Sequence, residues 1–123
     1  MTNKEIVLTF IDRVFNSWDL TDCDSFMRED YRQHSPNVKD GREGFKEFAA
    51  RFFEAKPHMH VFRTAEDGDL VFVFFKCTFE NRKEAAKVCD IYRLEDGKLA
   101  EHWDVLQTVD PEDPGINGNG HFS

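Results

Sequence analysis

The residues best suited to chemistry lie in two runs near the end of the chain, Val88-Cys89-Asp90-Ile91-Tyr92-Arg93-Leu94 and Glu101-His102-Trp103-Asp104-Val105. Side chains alternate along a strand, so His102, Asp104 and Leu106 share one face while Trp103 and Val105 share the other. Asp90 and Tyr92 lie together on the first run by the same rule. Carboxyls and an imidazole on one surface suit general acid–base proton transfer. Histidine serves as a base without heavy tuning, and a buried carboxylic acid serves as a proton donor.

Whether Asp90 meets His102 depends on the turn between the two runs. A three-residue Glu95-Asp96-Gly97 loop, with Gly97 left-handed, pairs Leu94 with Lys98 and brings Asp90 opposite His102. A two-residue Asp96-Gly97 loop pairs Asp90 with Trp103 instead and flips the face. The first arrangement is the expectation, because it gathers the ionisable groups on one side and leaves Ile91, Trp103 and Val105 on the other. Periodicity alone leaves open which of these faces the helices cover.

The elements that must position these groups follow from pattern. Thr2-Asn3-Lys4-Glu5 has capping-box spacing. Behind it Ile6, Val7, Phe10, Ile11, Val14, Phe15 and Trp18 recur at helical spacing, predicting a helix over 3–18. A short helix is expected over 23–27 and a short strand over 31–34, ended by the turn cluster Ser35-Pro36-Asn37. Asp40 is a fair N-cap for a helix with Phe45, Phe48, Ala49, Phe52 and Phe53 on one face, and Pro57 stops it. Strand-like runs then cover 58–65, 70–80, 85–94 and 99–109, joined by tight turns. Strands linked so closely form an antiparallel meander, since parallel neighbours need crossovers. Helices first and sheet afterwards predict an α+β domain over 1–109, with helices on one face of the sheet. The segment 110–123, rich in Pro and Gly, is expected to be an irregular tail.

Composition narrows the function classes. The chain has 123 residues, 13 of them Phe, and a formal net charge of -8. That charge, without a basic stripe, argues against a nucleic-acid surface. The longest apolar run, Leu70 to Phe75, is too short to span a bilayer, and the first residues lack a secretory layout. A soluble cytoplasmic protein is the expectation. Cys23, Cys77 and Cys89 are odd in number and lack CxxC spacing, which reads as reduced core or sheet residues rather than a catalytic thiol. His58-Met59-His60 places two imidazoles on one strand face but lacks an HExxH or Cys partner, so surface histidines are expected and no metal. No phosphate loop, nucleophile elbow or dinucleotide fingerprint is present.

Tyr31-x-Gln-His-Ser-Pro36, Asp40-Gly-Arg42, Asp90-Ile-Tyr-Arg93, Asp96-Gly-Lys98 and Glu101-His-Trp-Asp-Val105 together resemble a SnoaL-like, polyketide-cyclase-like subfamily of the nuclear-transport-factor-two-like superfamily. The resemblance extends over nearly the whole chain. It implies a curved, mostly antiparallel sheet with helices enclosing a cone-shaped apolar pocket, as in cystatin-like and ketosteroid-isomerase-like folds. It implies further that Asp90 points inward, where ketosteroid isomerases hold an oxyanion-binding acid, with His102 and Asp104 on the next strand. His34 falls near the loop that carries the isomerase base, but that base is an Asp, and here His34 or Gln33 stands instead.

The expected catalytic set is therefore His34, Asp90, His102 and Asp104: His34 or His102 as base, Asp90 as acid, Asp104 orienting His102. Tyr31, Gln33, Tyr92, Phe52 and Leu106 are expected to contact the ligand. The leading reading is a cofactor-free aldol-type cyclase or isomerase acting on a small hydrophobic carbonyl compound. A non-catalytic ligand-binding pocket is the competing class, and a metal between His34, His102 and a carboxylate is a third. Ile91, Trp103 and Val105 form a second apolar face that one layer of helices leaves uncovered, which predicts a homodimer.

Overall fold

Thr2 opens the first helix as its spacing predicts, its Oγ1 accepting the Glu5 N–H at 3.1 Å. In the computed structural model, which describes residues 1–122, helix α1 covers Asn3–Phe10 and widens into a π-helical turn over Ile11–Phe15. The predicted helix over 3–18 therefore ends early. The wide turn still buries Ile11, Val14 and Phe15 beside Ile6, Val7 and Phe10. Trp18, expected on that stripe, stands at φ 51 and is 42% exposed, with its indole N–H donating to the Pro57 carbonyl at 2.7 Å.

Helix α2 is a single turn, Cys23–Phe26, and strand β1 starts directly after it, Met27–Gln33. Met27 thus belongs to the strand rather than the helix. Helix α3 spans Gly41–Phe52, and a 3-10 turn over Phe53–Ala55 leads to Pro57. Asp40 does not cap α3 through its side chain; its Oδ1 accepts the Gln33 N–H at 2.8 Å and pins the loop to the end of β1. The same loop presses so closely on α3 that a Cβ on Gly44 would collide with the Lys39 carbonyl.

Strands β2 (His58–Asp67), β3 (Leu70–Phe79), β4 (Arg82–Glu95) and β5 (Lys98–Val109) form the expected antiparallel meander. Strand β1 pairs parallel to β5, giving the order β1-β5-β4-β3-β2. The sheet stays open at β1 and β2, and the helices pack on one of its faces, the α+β arrangement predicted. Edge-to-face rings fill the space between: Phe10 meets Phe15 at 5.5 Å and Phe15 meets Phe45 at 5.6 Å. Such pairs add about 0.5–1.5 kcal/mol each beyond burial.

The β4–β5 hairpin departs from expectation in a way that matters for the site. Its turn has two residues, Asp96 and Gly97, at φ 52 and 77, with Glu95 paired to Lys98. Positive φ at both positions is the type I′ signature, which matches the twist of the flanking strands. Unmodified, that turn would put Asp90 opposite Trp103. The register shifts once, however, between Leu94↔Leu99 and Arg93↔Glu101, so β5 carries one extra residue at Ala100. This β-bulge restores the parity that the shorter turn removes. Asp90 ends opposite Asp104, and Tyr92 opposite His102, rather than Asp90 opposite His102. The polar groups keep their common face.

That face lies beneath the helices. Asp90, Tyr92 and His102 are buried, Asp104 is half-buried, and Val105 on the other face is 71% exposed. Residues 110–122 form turns without helix or strand, and Phe122 stacks on Phe62 at 5.4 Å on the outer sheet face, with the Lys76 ammonium 5.5 Å from its ring. Ser123, the last residue of the expected tail, lies outside the described residues. Among the described residues no helix is long and apolar enough to cross a membrane.

Candidate active site

A cavity of about 420 Å³ opens between the helices and the sheet. Phe45, Phe48 and Phe52 of α3 and Phe75 of β3 form its apolar wall, while Tyr31, Gln33, Ser35, Asp90, Tyr92, His102 and Asp104 supply its polar groups. Its volume suits a small organic ligand. Leu106 lines the cavity too and is 58% exposed.

The polar groups are joined by a definite pattern of hydrogen bonds. Gln33 Oε1 accepts the backbone N–H groups of His34 and Ser35, each at 3.1 Å. Two backbone donors identify that atom as the amide oxygen. His102 Nδ1 lies 2.7 Å from the same oxygen and must therefore carry a hydrogen. His102 Nε2 lies 3.1 Å from Asp90 Oδ1. Asp90 Oδ2 accepts the Tyr92 hydroxyl at 2.9 Å. With Nδ1 protonated, the Nε2–Oδ1 contact needs one proton, as an imidazolium beside a carboxylate or a neutral imidazole beside a carboxylic acid. Asp90 and His102 thus form a couple that holds a single proton between them.

Asp104 faces Asp90 directly across the β4–β5 ladder and accepts the Ser35 hydroxyl at 3.1 Å through Oδ1. Its second oxygen takes no bond among the described residues. Ligating atoms of Asp90, His102 and Asp104 all lie within 4.8 Å of one another. Like charges directly opposite on a ladder destabilise it, and the proton of the Asp90–His102 couple relieves that repulsion.

The tyrosines stay neutral. Burial, and after it the Asp90 charge, pushes the Tyr31 and Tyr92 hydroxyls well above the ordinary phenol value of 10.0. Burial also lifts the cavity-lining Cys77 thiol to about 12 and the Cys23 thiol to about 11, so neither supplies a thiolate near neutrality.

The structure assembles some of the predicted site and rearranges the rest. Tyr31, Gln33, Phe52, Asp90, Tyr92, His102, Asp104 and Leu106 all line the cavity. His34 does not. Its ring stacks on Trp103 at 4.9 Å and an interplanar angle of 4°, and its Nε2 lies 2.7 Å from Glu101 Oε2. Both neighbours belong to the outer face of β5, so His34 is removed from the expected quartet and from the expected metal trio. Gln33, the residue before it, turns inward instead. His102 is oriented by Gln33 and Asp90, not by Asp104 as expected. His58 and His60 are exposed neighbours, with His60 Nε2 3.2 Å from the Thr78 hydroxyl.

Two contributors escaped the sequence reading. Ser35 sat in a turn cluster taken as punctuation, yet it is 8% exposed and holds Asp104. Glu101 is buried on the outer side, where it ties His34 to Arg93 Nε at 2.9 Å. The His34 hydrogen bond, then that of Arg93, holds its carboxyl below the usual 4.5 against the opposing effect of burial. Its place beside His102 in a Glu-His-Trp-Asp run was the available signal.

The family model of the SnoaL-like polyketide cyclases matches residues 5–113. The chain belongs to the SnoaL-like polyketide cyclase family. Solved structures share the fold of this SnoaL-like chain at low identity. A SnoaL-like polyketide cyclase from Agrobacterium tumefaciens superposes with a TM-score of 0.72 at 18% identity, covering 87% of this chain and 92% of its own. A cystatin-fold protein from Novosphingobium aromaticivorans gives 0.75 at 21% identity, over 85% and 98%. TsrD from Streptomyces laurentii gives 0.72 at 19% identity, over 85% and 90%. No curated protein matches the chain.

Proposed function

We propose that this SnoaL-like chain is an enzyme of the lyase or isomerase type, moving a proton next to a carbonyl without a cofactor, as in an aldol-type cyclisation or an enol-forming isomerisation. The observation that carries the reading is the pair of unlike proton sites in one cavity. The Asp90–His102 couple holds one proton, and Asp104 offers an uncommitted carboxylate oxygen close by. Asp104 serves as the base that takes the α-proton. The couple serves as the acid that returns one, to carbon in an isomerisation or to the new alkoxide in an aldol step. Unlike environments for neighbouring titratable groups are the usual basis of such a division. A small hydrophobic ketone suits the phenylalanine wall.

The experiment is α-proton exchange in D₂O, followed by NMR, on a panel of aryl ketones and cyclic β-diketones. Exchange above the buffer rate, lost in Asp104→Asn, is the expected result. Ketones that bind by chemical-shift perturbation but exchange only at the buffer rate would establish the competing reading of a non-catalytic binding pocket. The clustering of Asp90, His102 and Asp104 ligand atoms within 4.8 Å gives a divalent cation some claim on the same groups. Exchange that is abolished by EDTA and restored by a divalent ion would favour that alternative.

We place the protein in the cytoplasm, in keeping with three cysteines that are all free, and we propose a homodimer through the outer sheet face around Ile91, Trp103 and Val105.

A further inference from the structure

We infer that the Tyr31 hydroxyl is the hydrogen-bond donor for the ligand's carbonyl oxygen, so that the ligand presents a carbonyl or enolate oxygen on a planar apolar body. The inference rests on the proton-transfer reading above and names the group that stabilises its intermediate.

Tyr31 is 1% exposed, and its ring is fixed edge-on to Phe45 at 6.2 Å and nearly parallel to His102 at 6.5 Å. Its hydroxyl has no hydrogen-bond partner among the described residues, yet it is absent from the fully enclosed unpaired atoms, so the oxygen opens onto the cavity that the residue lines. Burying a hydroxyl without a partner costs about 1–3 kcal/mol, and nearly all buried polar side chains have one. An occupant of the cavity supplies the missing acceptor.

The other buried polar groups at this end are already engaged. Both Asp90 oxygens are taken, by His102 and Tyr92. Both His102 nitrogens are taken, by Gln33 and Asp90. The Ser35 hydroxyl is given to Asp104. Among the described residues that line the cavity, Tyr31 is the buried hydroxyl with a hydrogen left to give. Asp90, the acid expected to hold the enolate oxygen, is therefore replaced in that task by Tyr31. Burial, and after it the nearby acidic charges, keeps Tyr31 an O–H rather than a phenolate, so it donates and does not act as a base.

The step balances without a further reactant. The α-C–H bond breaks, its proton passes to Asp104, and its electron pair becomes the enolate. Negative charge grows on the oxygen and is met by the Tyr31 O–H, which keeps its proton. A donor aimed where charge develops stabilises that state more than the ground-state carbonyl.

The test uses 2-naphthol and a graded set of substituted phenols, which present an enolate-like oxygen on a planar apolar ring. Wild-type protein should bind them, and Tyr31→Phe should bind about tenfold to a hundredfold more weakly, the range for a hydrogen bond to a charged acceptor. The loss should grow with phenol acidity. Thermal stability should not fall, because the deleted hydroxyl has no protein partner. The chain contains 2 tyrosines, so 3-fluorotyrosine labelling gives two fluorine signals, assigned by Tyr92→Phe. Adding 2-naphthol should move the Tyr31 signal and leave that of Tyr92 nearly fixed. Equal phenol binding by Tyr31→Phe, or an unmoved Tyr31 signal in a saturated complex, overturns the inference while leaving the proton-transfer reading in place. Failure of wild-type protein to bind any phenol, together with no α-proton exchange, overturns that reading and this inference with it. If Tyr31→Phe does not fold, the fluorine measurement on labelled wild-type protein decides.

Discussion

Asp90 and Asp104 stand directly opposite each other on neighbouring strands, while His102, one row away, reaches diagonally to Asp90 at 3.1 Å. Cross-strand carboxylates at that position repel unless one is paired or protonated. The imidazole, held from behind by Gln33, removes the conflict on one side and leaves Asp104 free on the other.

Asp90→Asn tests the couple. The new side chain can donate to His102 Nε2 through its amide and still accept the Tyr92 hydroxyl, so stability should change by no more than about 1 kcal/mol. The couple's extra proton should vanish. Nitrogen-15 NMR should then show His102 with its hydrogen on Nδ1 and none on Nε2. Ketone exchange should drop by about 10²- to 10⁴-fold, the usual contribution of an acid–base group. Nε2 and Nδ1 signals identical to those of the wild type would refute the couple.

A second expectation concerns alkaline pH. Tyr31 and Tyr92 have folded pKa values raised above the ordinary 10.0, by burial first and then by Asp90. Above pH 10 the unfolded chain gives up these protons and the native state keeps them, so the native state binds more. Their stabilising contribution is complete below pH 10 and declines as pH rises toward the folded values. Absorbance at 295 nm should therefore report both tyrosines ionising together with unfolding, not before it. A tyrosine that titrates near pH 10 with far-UV circular dichroism unchanged would contradict this.

His34 and Gln33 are adjacent in sequence and should behave oppositely. His34→Ala removes a ring stacked on Trp103 and one partner of Glu101, at a cost of about 1 kcal/mol. Exchange activity should survive it. Gln33→Leu takes the acceptor from His102 Nδ1 and from two backbone N–H groups, at a cost of about 1–3 kcal/mol. Activity should fall, and the Nδ1 proton should lose its characteristic hydrogen-bonded NMR shift. Loss of activity in His34→Ala in a folded protein would return His34 to the site.

The fourth prediction addresses assembly. Val105 is 71% exposed on the outer sheet face, beside Trp103. If that face joins two copies, light scattering at micromolar concentration should give a dimer mass for wild-type protein and a monomer mass for Val105→Lys. The variant should keep its far-UV circular dichroism. A monomeric wild type would remove the proposal.

These contrasts also mark what the residues alone could reveal. Strand parity was readable, because a period of two assigns Asp90, His102 and Asp104 to one face whatever the exact pairing. The pairing was not. Both the turn length and the strand length differed from expectation by one residue, and the two differences cancelled at the Ala100 bulge, which nothing in Leu99-Ala100-Glu101 announces. The side taken by His34 follows the same alternation: Tyr31 and Gln33 line the cavity, and His34, one residue further on, turns to the outer face with Glu101 and Trp103. The inward expectation for it came from the resemblance to the isomerase loop and overrode that period of two. Asp40 looked like a helix cap and serves the strand end instead, because a short polar side chain satisfies whichever nearby N–H lacks a partner. The wide turn after Phe10 was invisible because it buries the same apolar residues as a regular helix.

The bulge at Ala100 makes the length of the last hairpin a discrete variable for evolution and engineering alike. A single-residue insertion or deletion between Arg93 and Glu101 that kept the bulge would turn the β5 part of the cavity lining outward, sending Glu101, Trp103 and Val105 beneath the helices. Deleting the unpaired Ala100 itself would remove the bulge and keep Glu101 opposite Arg93, leaving the acid–base groups where they are. One-residue indels in this hairpin should therefore be tolerated only together with loss of the bulge, whereas side-chain substitutions at the same positions face no such rule.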